Sequence, residues 1–226
     1  MPQFVGDLRR MGFVNWFAYA ADRALEKASG GWIRARALWF YAQPVDLIPQ
    51  TTTRPGDRIS TTVVSRAELP EGAFGRPHGA FAKRFDQGSI CIAARRDSEL
   101  IGFMWLQFDE LREQLFRCDF IPCPHGRAAW DFDLYVAPEL RLSKAFARLW
   151  SHARSYLCER GIETTISWIA FDNDASQRAH RRMGAKRVGW AIVLTAGSAR
   201  VVLSTARPYL SAGLKDSRTR LFVDSS

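Results

Sequence analysis

Apolar positions along this chain fall into two rhythms: alternation, which marks strands, and a spacing of three and four, which marks helices. Residues 5–28 carry the second and stop at Gly30-Gly31, which predicts an amphipathic helix. Ile33–Tyr41, dense in aromatic and aliphatic residues, predicts a strand that Gln43-Pro44 to Pro49 ends. Thr51–Asp57 is a polar loop with a Pro55-Gly56 turn. From Ile59 the pattern is regular. Ile59–Ser65 alternates as a strand, then Gly72, Gly75, Pro77 and Gly79 break structure, and a short helix follows around Phe81–Phe85. Ser89–Arg95 and Leu100–Phe108 predict a hairpin turning near Arg96-Asp97-Ser98, and Asp131–Val136 another strand. Within Ser143–Arg160, the residues Phe146, Leu149, Trp150, Ala153 and Leu157 form one apolar stripe that Gly161 closes, so a helix is expected. Ile162–Phe171 predicts a strand, Asp174–Met183 a helix, and Lys186–Thr195 with Ala199–Thr205 a final hairpin.

Strands and helices in this order predict an α/β (α+β) domain: a mixed, mostly antiparallel sheet flanked by helices, with hairpins at both ends and a β-α-β crossover between them. The domain reads as residues 59–207. A helix and strand extension over 1–58 is expected to pack on it, and 208–226 reads as a tail, loose from Lys215 to Ser226.

Composition narrows the class. A hydrophobic fraction of 47% with 8 Trp and 15 Phe is enough for a sizeable core and excludes a disordered chain. The net charge is +9, and its placement matters more than its size. Basic and acidic side chains balance at 17 each up to Leu140, whereas 15 basic face 6 acidic from Arg141 onward. Such a surplus suits phosphates on a ligand, nucleic acid or an anionic membrane, or simply a solvated surface. No nucleic-acid motif accompanies it, so no nucleic-acid partner is expected. Cys118, Cys123 and His125 lack a fourth ligand at metal spacing; no metal is expected, and reduced thiols suit a cytoplasmic protein. Arg9-Arg10 ahead of Met11–Ala21 faintly resemble a signal peptide. Asp7, Asn15, Trp16 and the continuation to Lys27 favour a docked helix instead.

Two places carry candidate chemistry. Asn173, Ser176, His180 and Gly184 share one face of the last helix. Earlier, the strand ending at Val136 feeds a helix N-terminus with Arg141 and Lys144 beside it, an anion site by virtue of free N–H groups and the helix dipole. Asp131 and Asp133 lie on that strand as candidate bases or as a solvent-facing pair. His78 and His125 sit in loops able to line a cleft, and His152 reads as solvated.

Together these places resemble the GNAT superfamily of acyl-CoA-dependent N-acyltransferases. Val136-Ala-Pro138-Glu139-Leu-Arg141 resembles the end of the family's fourth strand and the entry to its pyrophosphate loop. The run Asn173-x-x-Ser176-x-x-x-His180-x-Arg182-x-Gly184-Ala185 resembles its second motif. The likeness covers Ile59 to Thr205 and implies a GNAT-like sheet. The chain departs from the pattern in the loop, where Lys144 and Phe146 stand at the family's glycine positions.

The resemblance implies acetyl-CoA or another acyl-CoA as co-substrate and a small-molecule or peptide amine as acceptor, joined by direct attack in a ternary complex. Leu134, Tyr135 and Val136 would hold the pantetheine arm through backbone groups. Arg141, Leu142, Ser143, Lys144, Ala145 and Phe146, with Asn173 and Ser176, would hold the rest of the donor. His180 would be the acid for the thiolate, and Asp131 or Asp133 the base for the amine. Two other readings stay open: a catalytically silent binding module of this fold, and an enzyme using a long-chain acyl-CoA or acyl carrier protein. Residues 11–21 offer a peripheral membrane contact, and the aromatic N-terminal block a pocket wall, a sheet extension or a homodimer face.

Overall fold

The structure, a computed structural model, describes residues 23–24, 26–52, 54, 56–140 and 143–226. The helix and membrane contact expected before residue 23 lie outside these residues, as do Arg141 and Leu142. Among the described residues no helix is long and apolar enough to cross a membrane. The chain forms two compact units: Pro44–Asp109 with His125–Thr165, and the described residues up to Gln43 with Glu110–Pro124 and Ile166–Ser226.

The Pro44–Thr165 unit is built on four antiparallel strands in the order β7-β4-β3-β2, namely β2 (Ile59–Val64), β3 (Ile90–Arg96), β4 (Glu99–Gln107) and β7 (Ala128–Val136). Alternation explains its two faces. Val64, Cys91, Ala93, Phe103 and Trp105 face one way and enclose Phe81 of α1 (Ala80–Asp86). Ile92, Ala94, Met104 and Leu106, equally buried, point the other way, and α2 (Ala145–Cys158) packs on β2, β3 and β4. The expected stripe on α2 holds, with Leu149, Trp150, Ala153 and Leu157 buried and Gly161 at φ 68° beyond its end.

The other unit holds β1 (Ile33–Pro44), β8 (Thr164–Ala170, of which the first two residues belong to the unit above), β9 (Lys186–Ala196), β10 (Ala199–Ser204) and β11 (Leu210–Gly213), in the order β11-β10-β9-β1-β8. A second sheet, β12-β6-β5, comprises β5 (Leu111–Glu113), β6 (Cys118–Cys123) and β12 (Thr219–Asp224), with β12 parallel to β6. Two expectations are corrected here. The strand of the N-terminal extension is no appendage: β1 stands inside the sheet between β8 and β9, paired with β9 from Ile33↔Ala196 to Ala42↔Lys186. The segment read as a loose tail contributes β11 and β12, and Thr219, Leu221 and Val223 are buried. Arg200, nearly inaccessible, ties the second sheet to β10 by donating to the carbonyls of Arg117 and Ser217 and to Thr219 Oγ1, at 2.5, 3.0 and 2.7 Å. Trp39, Tyr41, Ile169 and Phe171 cluster together, and Gln177 and His180 of α3 (Asp174–Arg182) meet Tyr41.

Candidate functional site

Strand β7 is irregular where the sequence placed its chemistry. Phe103 of β4 pairs with Tyr135, yet Trp105 pairs with Phe132, so β7 carries one residue more than its partner between these points. This is a β-bulge; it interrupts the ladder and releases backbone groups from pairing. Asp133 sits at the bulge with φ 43°, in the left-handed region. Both its carboxylate oxygens are taken, one by the guanidinium of Arg76 and the other by that of Arg84. The two guanidiniums lie over aromatic rings, Arg76 over Phe103 and Tyr135, Arg84 over Trp105 and Phe132. Asp133 therefore pins the bulge through two guanidiniums. Asp131, opposite Leu106, is buried, and it keeps the candidacy as base. Across from Val136 stands Gly102, where a Cβ would lie 2.6 Å from the Tyr135 carbonyl oxygen; only glycine allows this approach.

After β7, Pro138–Leu140 makes a single 3₁₀ turn, and α2 begins at Ala145. Ser143 Oγ accepts the Ala145 N–H at 3.2 Å, satisfying one of the open donors of the helix start. Lys144 has φ −72°, already helical, so the position makes no demand for glycine. Ala145 is fully buried and Phe146 packs near Trp150, with ring centres 6.4 Å apart. Lys144 Nζ lies 3.7 Å from Asp57, whose carboxylate also binds the buried Arg148. The Arg54 N–H at 2.8 Å, with the Arg148 and Lys144 charges, holds the Asp57 carboxyl below the ordinary carboxylate value.

On α3, Asn173 is the N-cap and accepts the Ser176 N–H at 3.1 Å. His180 is buried, with Nδ1 2.9 Å from the Ser176 carbonyl oxygen and Nε2 3.1 Å from Ser167 Oγ on β8. A carbonyl can only accept, so Nδ1 carries a proton, and in the neutral ring Nε2 accepts from Ser167. Sequence reasoning missed Gln177, also buried. Its amide donates to the carbonyls of Ala170 and Phe171 at 3.1 and 2.9 Å, and its oxygen accepts from Tyr41. Burial pushes the Tyr41 hydroxyl up. It also missed Arg76, Arg84 and Asp57, since nothing local to those residues names the carboxylate or cation they meet. His152, expected in solvent, is half-buried with Nδ1 3.1 Å from Thr61 Oγ1. Cys118 and Cys123 lie on β6 and His125 is exposed beside Asp109; among the described residues no three His, Cys, Asp or Glu side chains gather as metal ligands.

The structure thus brings Asp131, Asp133, Leu134, Tyr135, Val136, Ser143, Lys144, Ala145 and Phe146 into one unit, as a bulged strand followed by a helix N-terminus. Asn173, Ser176 and His180 belong to the other, on one capped helix. Residues 62–185 match the Acetyltransferase (GNAT) family, and the chain belongs to it. No curated protein sequence matches. Among solved structures, a conserved protein of unknown function from Staphylococcus epidermidis aligns at 14% identity and TM-score 0.51, over 76% of this chain and 66% of its own. A putative acetyltransferase from the GNAT family of Novosphingobium aromaticivorans aligns at 18% identity and TM-score 0.49, over 72% and 64%. AAC(6')-Iy in complex with a CoA bisubstrate analog aligns at 16% identity and TM-score 0.45, over 57% and 90%. At 14% identity the Staphylococcus likeness is one of fold, and the chain spans less than two thirds of the Novosphingobium structure.

Proposed function

We propose that the protein is an N-acyltransferase, moving an acyl group, acetyl in the simplest case, from acyl-CoA to an amine. The carrying observation is the bulge at Asp133 placed directly ahead of the α2 N-terminus. Backbone groups of Leu134–Val136 would hold the pantetheine arm and polarise the thioester carbonyl, a donor bond worth about 3–4 kcal/mol in the transition state. The start of α2, with Ser143 and the Lys144 charge, suits the pyrophosphate. Where glycines would let backbone approach closely, Lys144 substitutes charge, and Ala145 and Phe146 serve packing. The residues fit the donor in this charge-based form.

The amine attacks the thioester carbon directly. Asp131 takes its proton, and the C–S bond breaks to release the thiolate. The thiolate must gain a proton, from solvent or from an acid; the resemblance assigns that role to His180, whose cationic ring would keep Nδ1–H on the Ser176 carbonyl and have Nε2–H to give. Acceptors of this chemistry are small-molecule or peptide amines. Four free thiols suit a cytoplasmic setting.

Calorimetric titration with acetyl-CoA tests the reading, and no binding at millimolar ligand would sink it. Lys144→Ala should weaken donor binding with loss of its salt dependence, while His180→Ala should lower turnover and spare affinity. A second reading, the silent binding module, is favoured by Asp57, whose carboxylate already sits on Lys144 and Arg148. If Asp57→Asn alone allows acetyl-CoA to bind, the wild-type chain is such a module.

A further inference from the structure

The register of β1, β9, β10 and β11 lines up apolar side chains on one side of the sheet. Directly paired residues point the same way. Ala37, Ile192, Leu203 and Leu210 therefore form one row across four strands. Ala35, Leu194, Val201 and Ala212 form the next row, and the cross-strand pair Trp39 and Trp190 a third. Alternation would ordinarily make the outer side of such strands polar, and the intervening residues Ala191, Val193 and Val202 are already buried on the inner side. Over β9–β11 the outer side is instead apolar and open, with Leu194 41% exposed, Leu203 46% and Leu210 66%, whereas Trp39 at the β1 end is buried. A contiguous apolar surface of this kind marks contact with something other than water.

Its border says with what. Arg187 lies over the Trp39 ring at 3.9 Å, at the edge of the rows. Arg181 of α3 stands near the same place, since its charge and that of Arg187 both act on the Tyr41 hydroxyl, two residues along β1 on the same side as Trp39. Arg178 and Arg182 are exposed on the same helix. Asp174 is the carboxylate that Arg178 and Arg181 share. Apolar side chains flanked by guanidiniums match a surface of acyl chains beneath anionic headgroups. A second copy under twofold symmetry would present the same surplus of positive charge to itself. We propose that this face of β9–β11, with the arginine margin of α3, seats the protein on an anionic phospholipid surface. The proposal does not rest on acyl transfer.

Co-sedimentation of the full chain with vesicles tests it. The chain should pellet with phosphatidylcholine vesicles containing about 30% phosphatidylglycerol and stay in solution with phosphatidylcholine alone. Leu203→Glu and Leu210→Glu, both at exposed positions that leave the fold intact, should each abolish pelleting. Arg181→Gln and Arg187→Gln should each weaken it about fivefold. Equal pelleting with both vesicle types, or none with either, overturns the proposal. So does a dimer seen by light scattering that Leu203→Glu dissociates, because the face then belongs to a second copy.

Discussion

Replacing Asp133 separates the two things that hold the bulge, its ion pairs and its backbone. In Asp133→Ala, Arg76 and Arg84 lose their shared carboxylate. A charge-assisted hydrogen bond contributes about 1.5–3 kcal/mol. The side chains involved are 33%, 22% and 16% exposed, so the two bonds are discounted for screening and together make roughly 2–4 kcal/mol. Asp133→Gly loses the same bonds but no longer holds a Cβ in the left-handed region, which recovers about 1 kcal/mol. The glycine variant should therefore be the more stable of the two, although glycine ordinarily costs stability within a strand. In a chain of this size about 1 kcal/mol shifts the melting temperature by roughly 2–4 °C. Thermal melts followed by tryptophan fluorescence should place the alanine variant about 5–15 °C below wild type, with the glycine variant a few degrees above it. An alanine variant that melts with wild type refutes the pin. A glycine variant below the alanine one refutes the strained backbone.

Two other predictions follow from single contacts. Gly102→Ala drives a Cβ against the Tyr135 carbonyl and, at 3.3 Å, the Val136 Cα. Neither backbone atom can give way cheaply, so a loss of about 2–3 kcal/mol is expected in urea unfolding. Burial pushes the His152 imidazole below its ordinary value, so below pH ~6.5 the unfolded chain binds the proton more readily than the folded one. Stability from this group is full above pH ~6.5 and falls as the pH drops toward the folded value. The difference between wild type and His152→Gln in unfolding midpoints should narrow or widen with pH in that sense, and a pH-independent difference would remove His152 as the cause.

Much of the fold was legible because its signals are local. The β3–β4 and β9–β10 hairpins, and helices α2 and α3, follow from alternation, caps and closing glycines within a few residues. Strands β5, β6 and β12 show where such reading stops. β5 has three residues, too few to establish a period. β6 contains Pro122, which argues against a strand interior, and two cysteines at a spacing that also suits a metal site. β12 alternates buried and exposed without a break, but it follows the charged run Lys215–Arg218, whose composition suits a loose tail. Of the candidate site, Asn173 as helix cap and the bulged strand's location were readable, the former from residue type and the latter from its place before a helix. The fate of Asp133 was not, because its partners lie 57 and 49 residues away. His180 was found as a polar residue on a helix face, yet its burial depends on Ser167 and Tyr41, which local pattern does not place beside it.

The position of β1 has a consequence for biosynthesis. Ile33 pairs with Ala196, so β1 leaves the ribosome well over a hundred residues before the strand it needs. At about 5–20 residues per second the wait is on the order of ten seconds. During that time Leu38, Trp39, Phe40 and Tyr41, all buried in the finished sheet, have no strand to pair with. The same logic governs any shortened chain. Removing residues 1–58 to isolate the family-matched region would delete the strand between β8 and β9 and leave two open strand edges, each a template for aggregation.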